Sequence, residues 1–200
     1  ESTNSFLEPG GENEKKSSGK MREECRKQDI YILNSRTEVL AFLEKMLPQC
    51  GNVLRMSTEE VPEAVVELLA LYLNRNRIRC EHLFSLKTIR EQGGSLYNLQ
   101  YVNRIMPLIR SGKEYVPCYD YEEIGNAFFP NWLIGAHWAI CLQRNMESGL
   151  IIWEAAKISY LQKLYESKKK NTRHLLRYFS FLFQHLHHRR RYVFFYNLRL

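Results

Sequence analysis

The sequence predicts a mainly α protein: an irregular multi-helix domain with a disordered N-terminal arm and a basic C-terminal tail. Three observations carry that expectation. Ser35-Arg36-Thr37-Glu38 and Ser57-Thr58-Glu59-Glu60 both have the form of a capping box, a hydroxyl followed three residues later by Glu. Apolar residues recur at helical spacing through several segments. No strand–helix–strand alternation and no repeat of fixed period is visible along the chain.

The elements follow in order. Residues 1–27 are rich in Glu, Lys, Ser and Gly and hold almost no large apolar groups. Such a segment buries too little surface to offset its ordering entropy, so it reads as a disordered arm. Gln28 to Leu33 is a short apolar run, an extended entry or a first strand. The box at Ser35 opens a helix through Met46, with Val39, Leu40, Phe42, Leu43 and Leu47 on its apolar side; Pro48 and Gly51 stop it. The box at Ser57 opens a second helix, with Pro62 in its first turn and Val65, Val66, Leu68, Leu69 and Leu73 along it to Asn76. Its apolar face is broad enough to be buried on more than one side.

A third helix is expected from Cys80 to Gln92, closed by Gly93-Gly94. A fourth starts at Ser95 and carries Leu96, Leu99, Val102, Ile105 and Ile109, with Pro107 kinking or shortening it. Residues 112–129 read as loop around Pro117 and Gly125. Three further helices are expected: one from Pro130, one over 148–166 and one over 171–188. The stretch from Pro130 to Phe183 is the densest apolar segment and holds all three tryptophans, Trp132, Trp138 and Trp153. The domain is expected to run over 28–188, with a basic, aromatic tail over 189–200.

The chain has 200 residues and is 44% hydrophobic, which suits a domain with a real core. Its charge is lopsided. From Lys157 to Leu200 there are 11 Lys and Arg against one acid, Glu166; the formal charge there is +10, which leaves −3 of the total +7 for the rest. A block of that kind contacts phosphates or an anionic membrane surface, or it is a solvated helix face. No run of about 18 apolar residues implies a membrane span, and no signal peptide is visible. Five widely spaced cysteines with no C-x-x-C pair fit reduced thiols in an intracellular protein, nuclear or cytoplasmic.

Candidate chemistry is sparse. His185 and His188 share a helix face, but Arg189, Arg190 and Arg191 beside them repel a cation. Asp120, Glu122 and Glu123 form the acidic cluster of the second half, and the chain holds two aspartates in all. That is too few for paired-metal hydrolysis. Cys118 and His137 make a nucleophile–base pair only if the fold brings them together. No phosphate loop, dinucleotide fingerprint or nucleophile elbow occurs. No catalytic residue, metal site or cofactor is therefore expected in this segment. The nucleic-acid-binding candidates are Lys168, Lys169, Lys170, Arg173, Arg177, Arg189, Arg190 and Arg191, interleaved with Tyr178, Phe179, Phe181, Tyr192 and Phe194. Cations neutralise phosphates and aromatics stack on unpaired bases.

Pro130-Asn131-Trp132 with the apolar run behind it, then Leu150-Ile151-Ile152, then Arg177 inside Leu175-Leu176-Arg177-Tyr178-Phe179, resemble the helical part of the asteroid family, relatives of the flap-endonuclease and XPG-like nucleases. The capped helices at 35–47 and 57–75 are similar to those that precede this pattern. The resemblance covers about residues 35–185 and departs over 77–125. The chain begins at Glu1 and lacks the family's nuclease-like domain with its metal-binding acids. The resemblance implies a fragment C-terminal to that domain, an accessory helical region contacting DNA or RNA through its basic part. The alternative is a helical protein-interaction module with neither nucleic-acid nor catalytic role.

Overall fold

In a computed structural model, residues 30–175 are described apart from 77, 89, 112–113, 123–130 and 146. They form an eight-stranded mixed sheet with helices on both faces, an α/β architecture in place of the expected mainly α domain. The expected arm over 1–27, the tail over 189–200 and most of the 171–188 helix lie outside the described residues.

The strands are β1 (Ile30–Leu33), β2 (Val53–Thr58), β3 (Arg79–Ser85), β4 (Tyr115–Asp120), β5 (Asn131–Ile134), β6 (Ala139–Leu142), β7 (Gly149–Ile152) and β8 (Arg173–His174). Their order across the sheet is β1-β7-β6-β5-β2-β3-β4-β8. β2, β3 and β4 run parallel; every other neighbour is antiparallel. The helices are α1 (Arg36–Met46), α2 (Glu63–Asn76), α3 (Gly94–Arg104), α4 (Met106–Arg110) and α5 (Ala155–Lys169). The unit β2-α2-β3-α3-α4-β4 is the strand–helix alternation that the sequence conceals.

Four of the expected helices form, but not all from the expected starts: the second capping box caps no helix, because Ser57 and Thr58 end β2 and α2 begins only at Glu63. At α1 the Ser35 hydroxyl accepts from the Glu38 amide at 3.2 Å, and the Glu38 carboxylate reaches back to the Asn34 amide at 2.8 Å. α2 takes the broad apolar face of Val65, Val66, Leu69 and Leu73, all buried. Gly93, at φ 71°, starts α3, and Pro107 splits that segment, so α4 is a separate short helix. The last, α5, occupies the later part of the 148–166 helix; its first residues are β7 instead.

Several segments expected as helix or loop are strands. Strands inside the sheet are covered on both faces and lose the apolar–polar alternation that marks a strand; β4 keeps it, with alternate residues buried, but Pro117 reads as a breaker. In β3, Cys80, His82 and Phe84 face α1–α4 while Glu81 and Leu83 face α5, and all five are buried. β6 is buried at every residue. The segment after Pro130 is a hairpin, β5 and β6 joined by a turn in which the Gly135 amide donates to the Trp138 carbonyl at 2.9 Å. β4 lies inside the expected 112–129 loop; Pro117 is tolerated there opposite His82.

The core divides with the sheet. Leu54, Met56, Phe84, Leu133, Ile140 and Ile151 pack against α1–α4. Phe42 of α1 meets Trp138 edge-on at 5.7 Å and Trp153 at 6.0 Å. On the other face Leu83, Ile134, Ala139 and Ile152 pack against Ile158, Leu161 and Tyr165 of α5.

Candidate anion-binding face

α5 runs across the second face of the sheet with its apolar side inward, and charged side chains join helix to sheet. Arg55 of β2 lies on this face because strand alternation puts it opposite in sense to Leu54 and Met56. Its Nε donates to Glu166 of α5 at 2.9 Å. Glu81 of β3 points the same way and is almost fully buried. It accepts from Arg79 Nε at 3.0 Å and pairs with Lys169 Nζ at 2.7 Å. Lys169 also lies 3.9 Å from Glu166. Burial alone raises the Glu81 carboxyl, but the Lys169 ammonium and the Arg79 guanidinium outweigh it and hold the group below its usual range.

Around this network the surface is cationic. Residues 155–174 hold six Lys and Arg against the single acid Glu166. Lys163, Lys168, Lys170 and Arg173 are exposed. Arg173 reaches Tyr119 of β4, whose hydroxyl is pushed up to about 12 by burial. An open groove of about 410 Å³ runs beside the helix, lined by Arg55, Lys163, Glu166 and Lys170 with Ser159, Gln162 and Ser167. The Gln162 side chain donates to the Gly135 carbonyl at 2.9 Å, which ties this wall to the β5–β6 turn.

Of the eight sequence candidates, Lys168, Lys169, Lys170 and Arg173 therefore cluster at the end of α5 and on β8. Lys169 is committed to Glu81. Arg177, Arg189, Arg190 and Arg191 lie outside the described residues, as do His185, His188 and Glu123. Arg55, Ser159, Gln162 and Lys163 were not singled out from sequence. The signal for Arg55 was alternation, Leu54-Arg55-Met56, in a segment where helix signals dominated its neighbours.

Cys118 and His137 are not brought together. Cys118 is in β4 and His137 follows β5, and β3 and β2 lie between those strands. Three inter-strand steps are about 14 Å. Burial raises the Cys118 thiol. No group of three or more His, Cys, Asp or Glu converges among the described residues.

One histidine that the sequence left unremarked has a defined environment. His82 is fully buried, with Nε2 2.6 Å from the Thr58 hydroxyl and Nδ1 2.6 Å from the Tyr115 hydroxyl; Thr58 continues to Tyr101 at 3.1 Å. Burial pushes His82 down to about 3, so it is neutral. This chain of hydroxyls and imidazole has no opening to solvent, since Thr58, His82, Tyr101 and Tyr115 are all buried. It satisfies core polar groups and fixes the register of β2, β3 and β4.

No family model and no curated protein matches this chain. Solved structures do. NucT from Helicobacter pylori is 8% identical and aligns with a TM-score of 0.51 over 72% of this chain and 95% of that one. Nuc from Salmonella typhimurium, a phospholipase D family member, is 10% identical with a TM-score of 0.50 over 72% and 97%. TrmBL2, an archaeal chromatin protein, is 9% identical with a TM-score of 0.49 over 80% of this chain, which spans 64% of its length. The expected membership of the asteroid family, and with it the role of accessory helical region, is overturned. Of the segments that carried it, Asn131-Trp132 lies in β5 and Leu150-Ile151-Ile152 in β7, strands where leucine-rich helices were expected. At these identities the likeness is one of fold: this chain folds as Nuc, a phospholipase D family member, does.

Proposed function

We propose that this chain is an α/β nucleic-acid-binding domain that contacts phosphates through the cationic surface of α5 and β8. The observation that carries the reading is the charge of that surface: 155–174 holds six cations and one acid, and with Lys157 paired to Glu154 and Lys169 to Glu81, the exposed cations Lys163, Lys168, Lys170 and Arg173 give it its sign. The one acid, Glu166, is itself held by Arg55. Lys168, Lys170 and Arg173 are the phosphate contacts, with Arg177, Arg189, Arg190 and Arg191 extending the same charge along the chain. Lys169 acts indirectly, by neutralising Glu81 beneath the surface. The likeness in fold to a phospholipase D family member is compatible with a phosphate-bearing ligand.

No helix among the described residues is long and apolar enough to cross a membrane. Binding of this kind is largely sequence-independent, with dissociation constants of roughly 10⁻⁴–10⁻⁶ M at physiological salt. The test is fluorescence anisotropy of a labelled oligonucleotide against the full chain and against a Lys168→Gln, Lys170→Gln, Arg173→Gln variant. The variant binds at least about tenfold more weakly at low salt on this reading. Equal affinity of the two proteins would remove the reading.

A further inference from the structure

Beside the groove stands an aromatic ring that packs against nothing in the core. Tyr160 of α5 is 65% exposed, the most exposed large apolar side chain among the described residues, and Leu164 one turn on is 41% exposed. Residues three and four apart are neighbours on a helix surface. Tyr160 therefore adjoins Lys163, and Lys163 adjoins Glu166 and Ser167, which adjoin Lys170. Tyr160 does not itself line the groove; it lies one helical turn from Lys163, which lines the groove together with Lys170, two serines and Arg55. Arg55 uses Nε on Glu166; a guanidinium has four further N–H donors on its terminal nitrogens.

We infer that this groove holds the backbone of a single-stranded nucleic acid, with Arg55, Lys163 and Lys170 against phosphates and Tyr160 stacked on an unpaired base. The inference rests on the proposed nucleic-acid-binding role and names its ligand class. A cationic groove that tracks a backbone, flanked by an exposed aromatic, is the arrangement by which single strands are held without sequence readout. A duplex keeps its bases stacked on each other and offers Tyr160 none. An anionic membrane surface fits less well. A helix lying in a membrane interface turns its apolar side outward, whereas α5 turns Ile158, Leu161 and Tyr165 into the sheet. Its lysines at 163 and 170 line an open groove beside Arg55.

The groove also contains its own competitor. Glu166 occupies the position beside Arg55 that a phosphate would take, so ligand binding displaces a carboxylate from the guanidinium. Replacing Glu166 by Gln removes that competition and one repulsive charge.

The experiment compares a labelled single-stranded oligonucleotide with the corresponding duplex on the full chain, by anisotropy at fixed salt. The wild-type protein favours the single strand. Tyr160→Ala weakens single-strand binding at least about fivefold, the lower end of one lost stacking contact, and leaves duplex binding unchanged. Tyr160→Phe, which keeps the ring face, restores it. Glu166→Gln tightens single-strand binding, and Lys163→Gln with Lys170→Gln weakens both ligands. Equal binding of both forms, untouched by Tyr160→Ala, overturns the single-strand inference while the general phosphate-binding role stands. Absence of any nucleic-acid binding, or capture on phosphatidylserine vesicles alone, overturns both.

Discussion

Lys169 Nζ lies 2.7 Å from Glu81 Oε2, across the boundary between α5 and the sheet. Glu81 is 6% exposed, and its carboxylate has two cations on it. In sequence Lys169 is the middle of three identical residues; in the fold it differs from both neighbours. Lys169→Ala leaves a buried carboxylate with Arg79 as its remaining cation. It is expected to destabilise the protein by about 1–3 kcal/mol, the range for a buried charged group that loses a partner. Lys168→Ala and Lys170→Ala, at exposed positions, are expected to shift stability by less than about 0.5 kcal/mol. Urea unfolding of the three variants separates them, and equal losses would contradict the assignment.

His82 makes stability depend on pH. Its ordinary value in an unfolded chain is 6.5, and in the fold it is about 3. Between these values the unfolded chain binds more protons than the native state. The contribution is therefore fully present above pH 6.5 and is lost as pH falls toward 3. The loss is on the order of 5 kcal/mol when complete. His82→Gln, which does not titrate, is expected to be less stable at pH 7.5 but to lose less stability between pH 6.5 and 4. Parallel pH profiles for the two proteins, read by denaturant midpoint, would show that His82 is not the group responsible.

The cap at Ser35 is a local test of α1. Its hydroxyl accepts from the Glu38 amide, while Glu38 bonds to the Asn34 amide on its own account. Ser35→Ala is expected to cost about 1 kcal/mol. Thermal unfolding followed by circular dichroism is the measurement, and a change below about 0.3 kcal/mol would mean that the Glu38 half of the box suffices.

Gly51 closes the turn between α1 and β2 at φ 83°, and a Cβ built there meets the Ala136 Cβ at 2.9 Å. Both the backbone conformation and the neighbour exclude a side chain. Gly51→Ala is expected to destabilise by about 1–3 kcal/mol, and Ala136→Gly in the same chain relieves the contact but not the backbone strain. A double variant as stable as the native chain would contradict this.

What the sequence made legible depended on how each segment is buried. α1, α2, α3 and the break at Pro107 were legible because their apolar residues recur at helical spacing, but only the start signal of α1 held: Ser57 and Thr58 belong to a strand, and α3 is entered from Gly93 without a side-chain cap. The entry strand at Ile30–Leu33 was visible as one of two options. The inner strands were not. Cys80 to Phe84 mixes thiol, acid, imidazole and apolar residues because both of its faces are covered, and its polar members are satisfied by Lys169, Thr58 and Tyr115 at distances in sequence of 24 to 88 residues. Such partners cannot be read locally. The hairpin after Pro130 was signalled by Gly135, but a continuous apolar run of about twelve residues matches a buried helix equally well. At the candidate face the lysine run was legible from composition; the groove was not, because Arg55 and Lys163 are 108 residues apart in sequence and meet only once α5 crosses β2.

The central claim is that phosphates are neutralised on the α5–β8 face, and the salt dependence of binding tests it most directly. For a single-stranded oligonucleotide, log K falls linearly with log salt by about 0.7 per phosphate contact. Replacing Lys168, Lys170 and Arg173 by Gln is predicted to flatten that slope by about 2 while the melting temperature stays within a degree or two. An unchanged slope in a fully folded variant would place the contacts elsewhere and contradict the account.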